Sequence, residues 1–222
     1  MNNDKPLLVL LDNGHGINTP GKCSPDKSLL EYAYSREIVS RLSDALVAPD
    51  ISTHVLVPEL NDIPLSIRCA RANAIYNQYK GIYNVILLSI HCNAAPGDGW
   101  SNARGWAAYT SIGVTRSDAI CACLYDAAEV YLKPYIDSFH SPDKKQRPIR
   151  STTDPSKGYE QNFTIVKNTS CPAVLTENLF QNNKEDVAFL LSEEGKQAIV
   201  SLHVAGILKW YLSSDFVPSI IK

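Results

Sequence analysis

Two histidines and two glutamates in this chain have the type and setting for chemistry. His91 follows the apolar run Val85 to Ile90 and precedes Cys92 and Asn93. His15 sits between Gly14 and Gly16, just past the run Leu7 to Leu11. Glu177 closes the shorter run Ala173-Val174-Leu175-Thr176. Imidazole nitrogens are the commonest metal ligands and titrate near neutral pH. A carboxylate at the end of an apolar strand needs a partner or a function. An arginine ion pair would satisfy Glu177; a general base beside an activated water is the functional alternative. Each histidine alone reads as structural. Their equivalent positions at two strand ends point instead to a zinc site or an acid–base site.

A catalytic zinc site uses three protein ligands and keeps one position open. Glu31 is the candidate third ligand, at the start of the helix that follows the first strand. It is equally the last member of Ser28-Leu29-Leu30-Glu31, which fits a helix capping box. Spacing leaves the two readings level.

The elements that must position these groups follow from the same runs. Stretches apolar on both faces read as buried strands of a parallel sheet. Such sheets bind ligands beyond the carboxyl ends of their strands. Strands are expected over 7–12, 52–57, 84–91, 105–110, 163–166 and 173–177. Helices are expected from Ser28 to about 46, over 64–79 and 116–131, and from about 184–191 and 194–212. Strand and helix alternate, so the fold class is α/β, with a mostly parallel sheet and helices on both faces. Gly14 and Gly16 are expected to let the backbone turn sharply around His15. Residues 137–161 carry Pro142, Pro148, Pro155 and the cations Lys144, Lys145, Arg147 and Arg150, without apolar periodicity. A loop of that length is usually functional or disordered. It reads as a substrate-facing flap or as a solvated linker, and His140 within it as a possible substrate contact.

Composition narrows the classes. A chain of 222 residues suits one domain with a sizeable core. A net charge of -2 gives no sign of a nucleic-acid partner. No apolar stretch reaches the length of a membrane span. Cysteines 23, 69, 92, 121, 123 and 171 form no CxxC pair, and they read as free thiols that pack like small hydrophobes. Met1 to Pro6 lacks the ordered regions of a signal peptide. The chain is therefore expected to stay in the cytoplasm, to leave by another route, or to be a trimmed form.

Taken in order, several motifs resemble one family. Leu11-Asp12-Asn13-Gly14-His15-Gly16, Glu31, Leu65-Ser66-Ile67-Arg68-Cys69-Ala70-Arg71-Ala72-Asn73, Ser89-Ile90-His91-Cys92-Asn93-Ala94 and Pro172-Ala173-Val174-Leu175-Thr176-Glu177-Asn178 are similar to the zinc-dependent N-acetylmuramoyl-L-alanine amidases of type 3. The resemblance spans about residues 7–212. It implies a twisted, mixed six-stranded sheet between helices. It implies one zinc ion held by His15, Glu31 and His91, with Glu177 as the catalytic carboxylate. It implies hydrolysis of the amide between the lactyl group of N-acetylmuramic acid and the first alanine of the peptidoglycan stem peptide, at the cell wall. The chain departs from the family at Asn13, where proline is common, and at Cys92, where alanine is common. Asn178-Leu179-Phe180 replaces the usual glycine-phenylalanine. These departures point to a divergent branch such as a phage lysin. One catalytic domain over residues 1–222 is expected, with no separate wall-binding domain. The domain would then find its peptidoglycan unaided or through an activator or wall-targeting partner.

Three rivals remain at this level. Another zinc peptidase or deacetylase acting on cell-wall peptides would show a similar site. A cysteine enzyme would pair Cys92 with His91, but adjacent strand residues face opposite sides. A non-catalytic wall-binding module would not require the full set of four groups.

Overall fold

The computed structural model describes residues 5–141 and 143–213; the expectation that Met1 to Pro6 carries no signal peptide falls on residues of which 1–4 lie outside them. Six strands form one sheet. They are β1 (Leu7–Asn13), β2 (Ile51–Val55), β3 (Asn84–Asn93), β4 (Ala107–Thr110), β5 (Tyr159–Glu160) and β6 (Ala173–Phe180). Their order across the sheet is β2-β1-β3-β6-β4-β5. All neighbouring pairs run parallel except β4 with β6. The mixed six-stranded α/β sheet expected from the motifs is therefore present.

Continuous apolar runs place β1, β3 and β6 at the centre, where both faces must be covered. Leu7, Val9, Leu11, Ile86, Leu88, Ile90 and Val174 point to one face. There they pack on α1 (Glu31–Ala45), α3 (Ser117–Tyr131) and α7 (Glu193–Leu212). Leu8, Leu10, Val85, Leu87, Ala173 and Leu175 point to the other face. That side is covered by α2 (Leu65–Tyr79) and by the single turn α5 (Thr164–Lys167). Helices α4 (Lys133–Ser138) and α6 (Lys184–Leu191) complete the chain.

Three local expectations are corrected. The first helix starts at Glu31, with Leu30 as its N-cap and no side-chain cap. Asp26 takes both the amide (3.0 Å) and the hydroxyl (2.7 Å) of Ser28, so no capping box forms. Residues 163–166 are not a strand: Phe163 is extended and Thr164–Lys167 makes a helical turn. A short apolar run cannot by its pattern tell strand from helix, and here the turn closes onto Phe163 and covers the α2 face. The third correction concerns the glycines. Neither Gly14 nor Gly16 takes a positive φ, whereas His15 itself does, at 59°.

Close packing of α3 on α7 depends on Gly206. A Cβ there would lie 2.9 Å from the Cα of Leu124 and would also strike its Cδ2. Replacing a mid-helix glycine by alanine gains at most about 1 kcal/mol in helix propensity. Overpacking costs about 1–3 kcal/mol, and here the obstacle is main chain, which yields less than a side-chain tip. Gly206→Ala should therefore lower stability by about 1–2 kcal/mol in urea unfolding; a gain in stability would show that the two helices separate freely.

Candidate metal centre

β1, β3 and β6 run parallel side by side, so their carboxyl ends share one edge. His91 is the register partner of Glu177 across β3 and β6. Odd-numbered residues of both strands near this end face the α2 side, and His91 and Glu177 continue that alternation past Leu87 and Leu175. His15 arrives from the loop just past β1, and Glu31 from the first residue of α1.

The four groups come together as the motifs imply. Oε1 of Glu31 lies 3.1 Å from Nδ1 of His91 and 3.4 Å from Nε2 of His15. The two imidazoles meet edge to face with centroids 4.9 Å apart. One potential ligand atom from each of His15, Glu31 and His91 lies within 4.8 Å of the other two. The amide of Cys92 also donates to Oε1 of Glu31, at 3.0 Å. Oε2 of the same carboxylate is buried and has no hydrogen-bond partner. Glu31 is thus no helix cap. An orphaned, buried carboxylate oxygen beside two imidazoles is a donor set that suits a divalent transition metal.

Burial pushes the Glu31 carboxyl up, but the two histidines more than offset it and hold the group well below the usual carboxylate range. Burial pulls the His91 imidazole down, and the hydrogen bond and charge of Glu31 reverse that, leaving it raised. Glu177 behaves oppositely to Glu31. No arginine among the described residues pairs with it, and its Oε2 is buried without a partner. Burial pushes its carboxyl up to about 7; His91 opposes the rise, Glu31 adds to it and Lys22 eases it. Two nearby carboxylates in unlike surroundings thus have widely separated proton affinities.

The supports are built from the neighbouring strands and helices. Arg68 of α2, only 2% exposed, donates to Asp12 Oδ1 (2.7 Å), to the Asn13 carbonyl (2.7 Å) and to Asp62 (2.7 Å). Asp12 faces inward and also accepts from Ser89 at 2.6 Å. Asn93, the corresponding polar neighbour of His91, accepts from the Ala94 amide. The carbonyl of His15 accepts from Arg36 (3.1 Å) and Arg68 (3.4 Å), and that of Gly14 from Ser35 (3.0 Å). These bonds hold a non-glycine residue in a left-handed conformation that is otherwise uncommon. Gly14 serves a different end, because a Cβ there would collide with the imidazole of His91. Gly16 likewise lies against the main chain of Asn61 and Asp62.

On β6, Asn178 donates to the carbonyl of His91 (3.0 Å) and accepts from the indole of Trp106 (2.9 Å). One extra residue bulges from β6 there, and Leu179 takes a φ of 61°. His203 is buried behind the site. It contacts the Ile199 carbonyl through Nδ1 (2.6 Å) and the Thr176 hydroxyl through Nε2 (3.0 Å), and burial lowers its proton affinity to about 4. It is therefore neutral at physiological pH. Cys92 points into the opposite core, where burial pushes its thiol far up, so it cannot work with His91.

A cleft of about 550 Å³ opens onto His15, His91 and Glu177. Its walls include Lys22, Asp62, Leu65 and Phe163. Among the described residues, none of 137–161 lines it; Asn162 to Ile165 do. The expected flap is instead stitched to the sheet edge, where Trp106 pairs with Pro148 and Arg150. His140 borders a separate cavity of about 230 Å³ with Trp100 and Lys184. Sequence reasoning passes over Lys22 and Asp62, which lie in stretches without periodicity or motif.

Compared with known proteins, the chain matches over residues 9–209 the family described as N-acetylmuramoyl-L-alanine amidase, and it belongs to that family. It is 26% identical over 205 residues to an endolysin of Bacillus phage SPP1, covering 90% of this chain and 64% of that protein. It is 25% identical over 216 residues to the N-acetylmuramoyl-L-alanine amidase CwlM of Bacillus licheniformis, covering 97% of this chain and 73% of that one. The chain thus spans roughly two thirds to three quarters of these relatives. The fold is shared with an N-acetylmuramoyl-L-alanine amidase from Clostridium difficile 630, with a TM-score of 0.73 and 21% identity, covering 95% and 98% of the two chains.

Two consequences are measurable. With a chelator present, the folded state should hold the Glu177 proton up to about pH 7, while the unfolded chain releases it near the ordinary value of 4.5. Stability due to this group is thus lost as pH rises between those values. Glu177→Gln should gain on the parent protein across that window by up to about 3 kcal/mol and no further above it, read by denaturant titration at several pH values. Arg68→Met strands the buried Asp12 and should cost about 3–5 kcal/mol in the same assay.

Proposed function

We propose that the chain hydrolyses the amide between the lactyl group of N-acetylmuramic acid and the L-alanine that starts the peptidoglycan stem peptide. One zinc ion is held by His15, Glu31 and His91. The observation that carries this reading is the convergence of those three ligand atoms within 4.8 Å, beside a buried, unpaired Glu177. Family membership supports the choice of bond. The two imidazoles and one carboxylate support zinc.

Zinc in such a site supplies Lewis acidity toward a carbonyl oxygen and makes bound water more acidic. The protein's own groups do the rest. Glu177, buried at the cleft without an ion-pair partner among the described residues, accepts a proton as water attacks the lactyl carbonyl carbon. The carbon–nitrogen bond then breaks, and the alanine nitrogen cannot leave as an amide anion. Glu177 returns its proton to that nitrogen. The products are a lactyl carboxylic acid and a stem peptide with a free amine. His91 is held by its contact with Gly14 and by Asn178, and His15 by Arg36 and Arg68 on its carbonyl, so the ligand side chains are positioned before substrate arrives.

Residues 7–212 act as one catalytic domain. Its substrate lies at the cell wall. No helix among the described residues is long and apolar enough to cross a membrane.

Mass spectrometry of digested peptidoglycan is the direct test. Stem peptides bearing a new free alanine amine should appear, vanish with chelator and return with added zinc. Glu177→Gln should lose turnover and keep zinc, whereas His15→Ala and His91→Ala should each lose zinc by metal analysis. Release of any other bond, or full zinc content in both histidine variants, would overturn the reading.

A further inference from the structure

The cleft over His15, His91 and Glu177 contains a cation, Lys22, that makes no ion pair or hydrogen bond among the described residues. Arg68 lines the cleft too, but Asp12 and Asp62 neutralise it, each at 2.7 Å. Asp62 is committed further by the Thr19 hydroxyl at 2.8 Å. Lys22 also lines the cleft, and its ammonium has no ion pair or hydrogen bond among the described residues. It is no free surface lysine. The residue is partly buried, and its carbonyl accepts from the amide of Glu31 at 3.0 Å. The next residue, Cys23, bridges to Leu30. The main chain under Lys22 is thus anchored to the first turn of α1, beside the histidine pair.

We propose that Lys22 is a specificity-determining residue that binds a free carboxylate of the stem peptide, namely the α-carboxylate of its second residue. This rests on the amidase reading above. In the stem, the second residue is a D-glutamate joined onward through its γ-carboxyl, which leaves the α-carboxylate free unless it is amidated. It is the first anion beyond the scissile bond, one residue past the L-alanine. A single ammonium in a cleft whose walls also carry Asp62 and Glu177 suits a monoanion better than a phosphate dianion, which those carboxylates would repel more strongly. A charge-assisted contact of this kind discriminates by about tenfold or more.

The test compares two muropeptides whose stems continue to a third residue through the γ-carboxyl and that differ only at the second residue's α-group, a free carboxylate in one and its amide in the other. The parent enzyme should favour the acid by about tenfold in kcat/KM, through KM. Lys22→Met should bring the two substrates to within about twofold, and Lys22→Arg should keep the preference. Calorimetric binding to the Glu177→Gln protein, with and without Lys22→Met, should show the same loss without turnover. An unchanged acid-to-amide ratio in Lys22→Met would overturn the proposal, as would an equal fall in kcat on both substrates, which would assign Lys22 to the reacting atoms. Failure of the parent to cleave either muropeptide would instead sink the amidase reading, and this proposal with it.

Discussion

Strand register is the constraint on which the site depends. His91 and Glu177 are partners across β3 and β6, and both face the α2 side. Side chains alternate with a period of two, so a slip of one residue would turn Glu177 into the opposite core. The alternation of Leu87 and Leu175 on one face with Leu88 and Val174 on the other forbids that slip, because it would expose or overpack every apolar position at once. The chemistry at the sheet edge therefore inherits its precision from hydrophobic residues several positions upstream. The bulge at Leu179 comes only after Glu177, so it reshapes the loop beyond without disturbing the pair.

Electrostatics divides the same edge into two zones. Around Glu31, an amide and two imidazoles favour the charged form, and the carboxylate stays ionised despite deep burial. Around Glu177 no ion pair among the described residues answers the charge, the fields of His91 and Lys22 offset burial only in part, and burial wins. The first turn of α1 and the end of β6 thus bring to one cleft edge a carboxyl held well below the usual range and one pushed up to about 7. Arg68 carries the opposite burden. It is almost wholly buried, yet each side of its guanidinium finds an acceptor: Asp12, Asn13 and His15 lie in the stretch that presents His15, and Asp62 lies in the loop before α2.

Much of this is legible in the residues. Long apolar runs reveal the central strands, and their endings reveal His15, His91 and Glu177, because burial on both faces leaves a strong compositional trace. Glu31 is ambiguous, since Ser28 to Glu31 satisfies a capping pattern that Asp26 pre-empts by taking Ser28 itself. The turn at Thr164 reads wrongly as a strand because four apolar-leaning residues carry no period. Lys22 is invisible for a deeper reason: an unpaired cation is defined by what fails to approach it, and only the fold decides that. The glycines around His15 stand out in the sequence, but for flexibility, when their use is to let other groups come close.

That last point reaches further. Because Gly14 carries no side chain, main chain rests against the imidazole of His91 and bounds its rocking on one side, while Asn178 fastens the strand beneath it. The ring's orientational freedom is surrendered when the chain folds. Whatever later enters that corner meets a donor whose disorder has already been removed, so little ordering cost is left for the moment of encounter. The firmness of the grip then originates in an absent β-carbon.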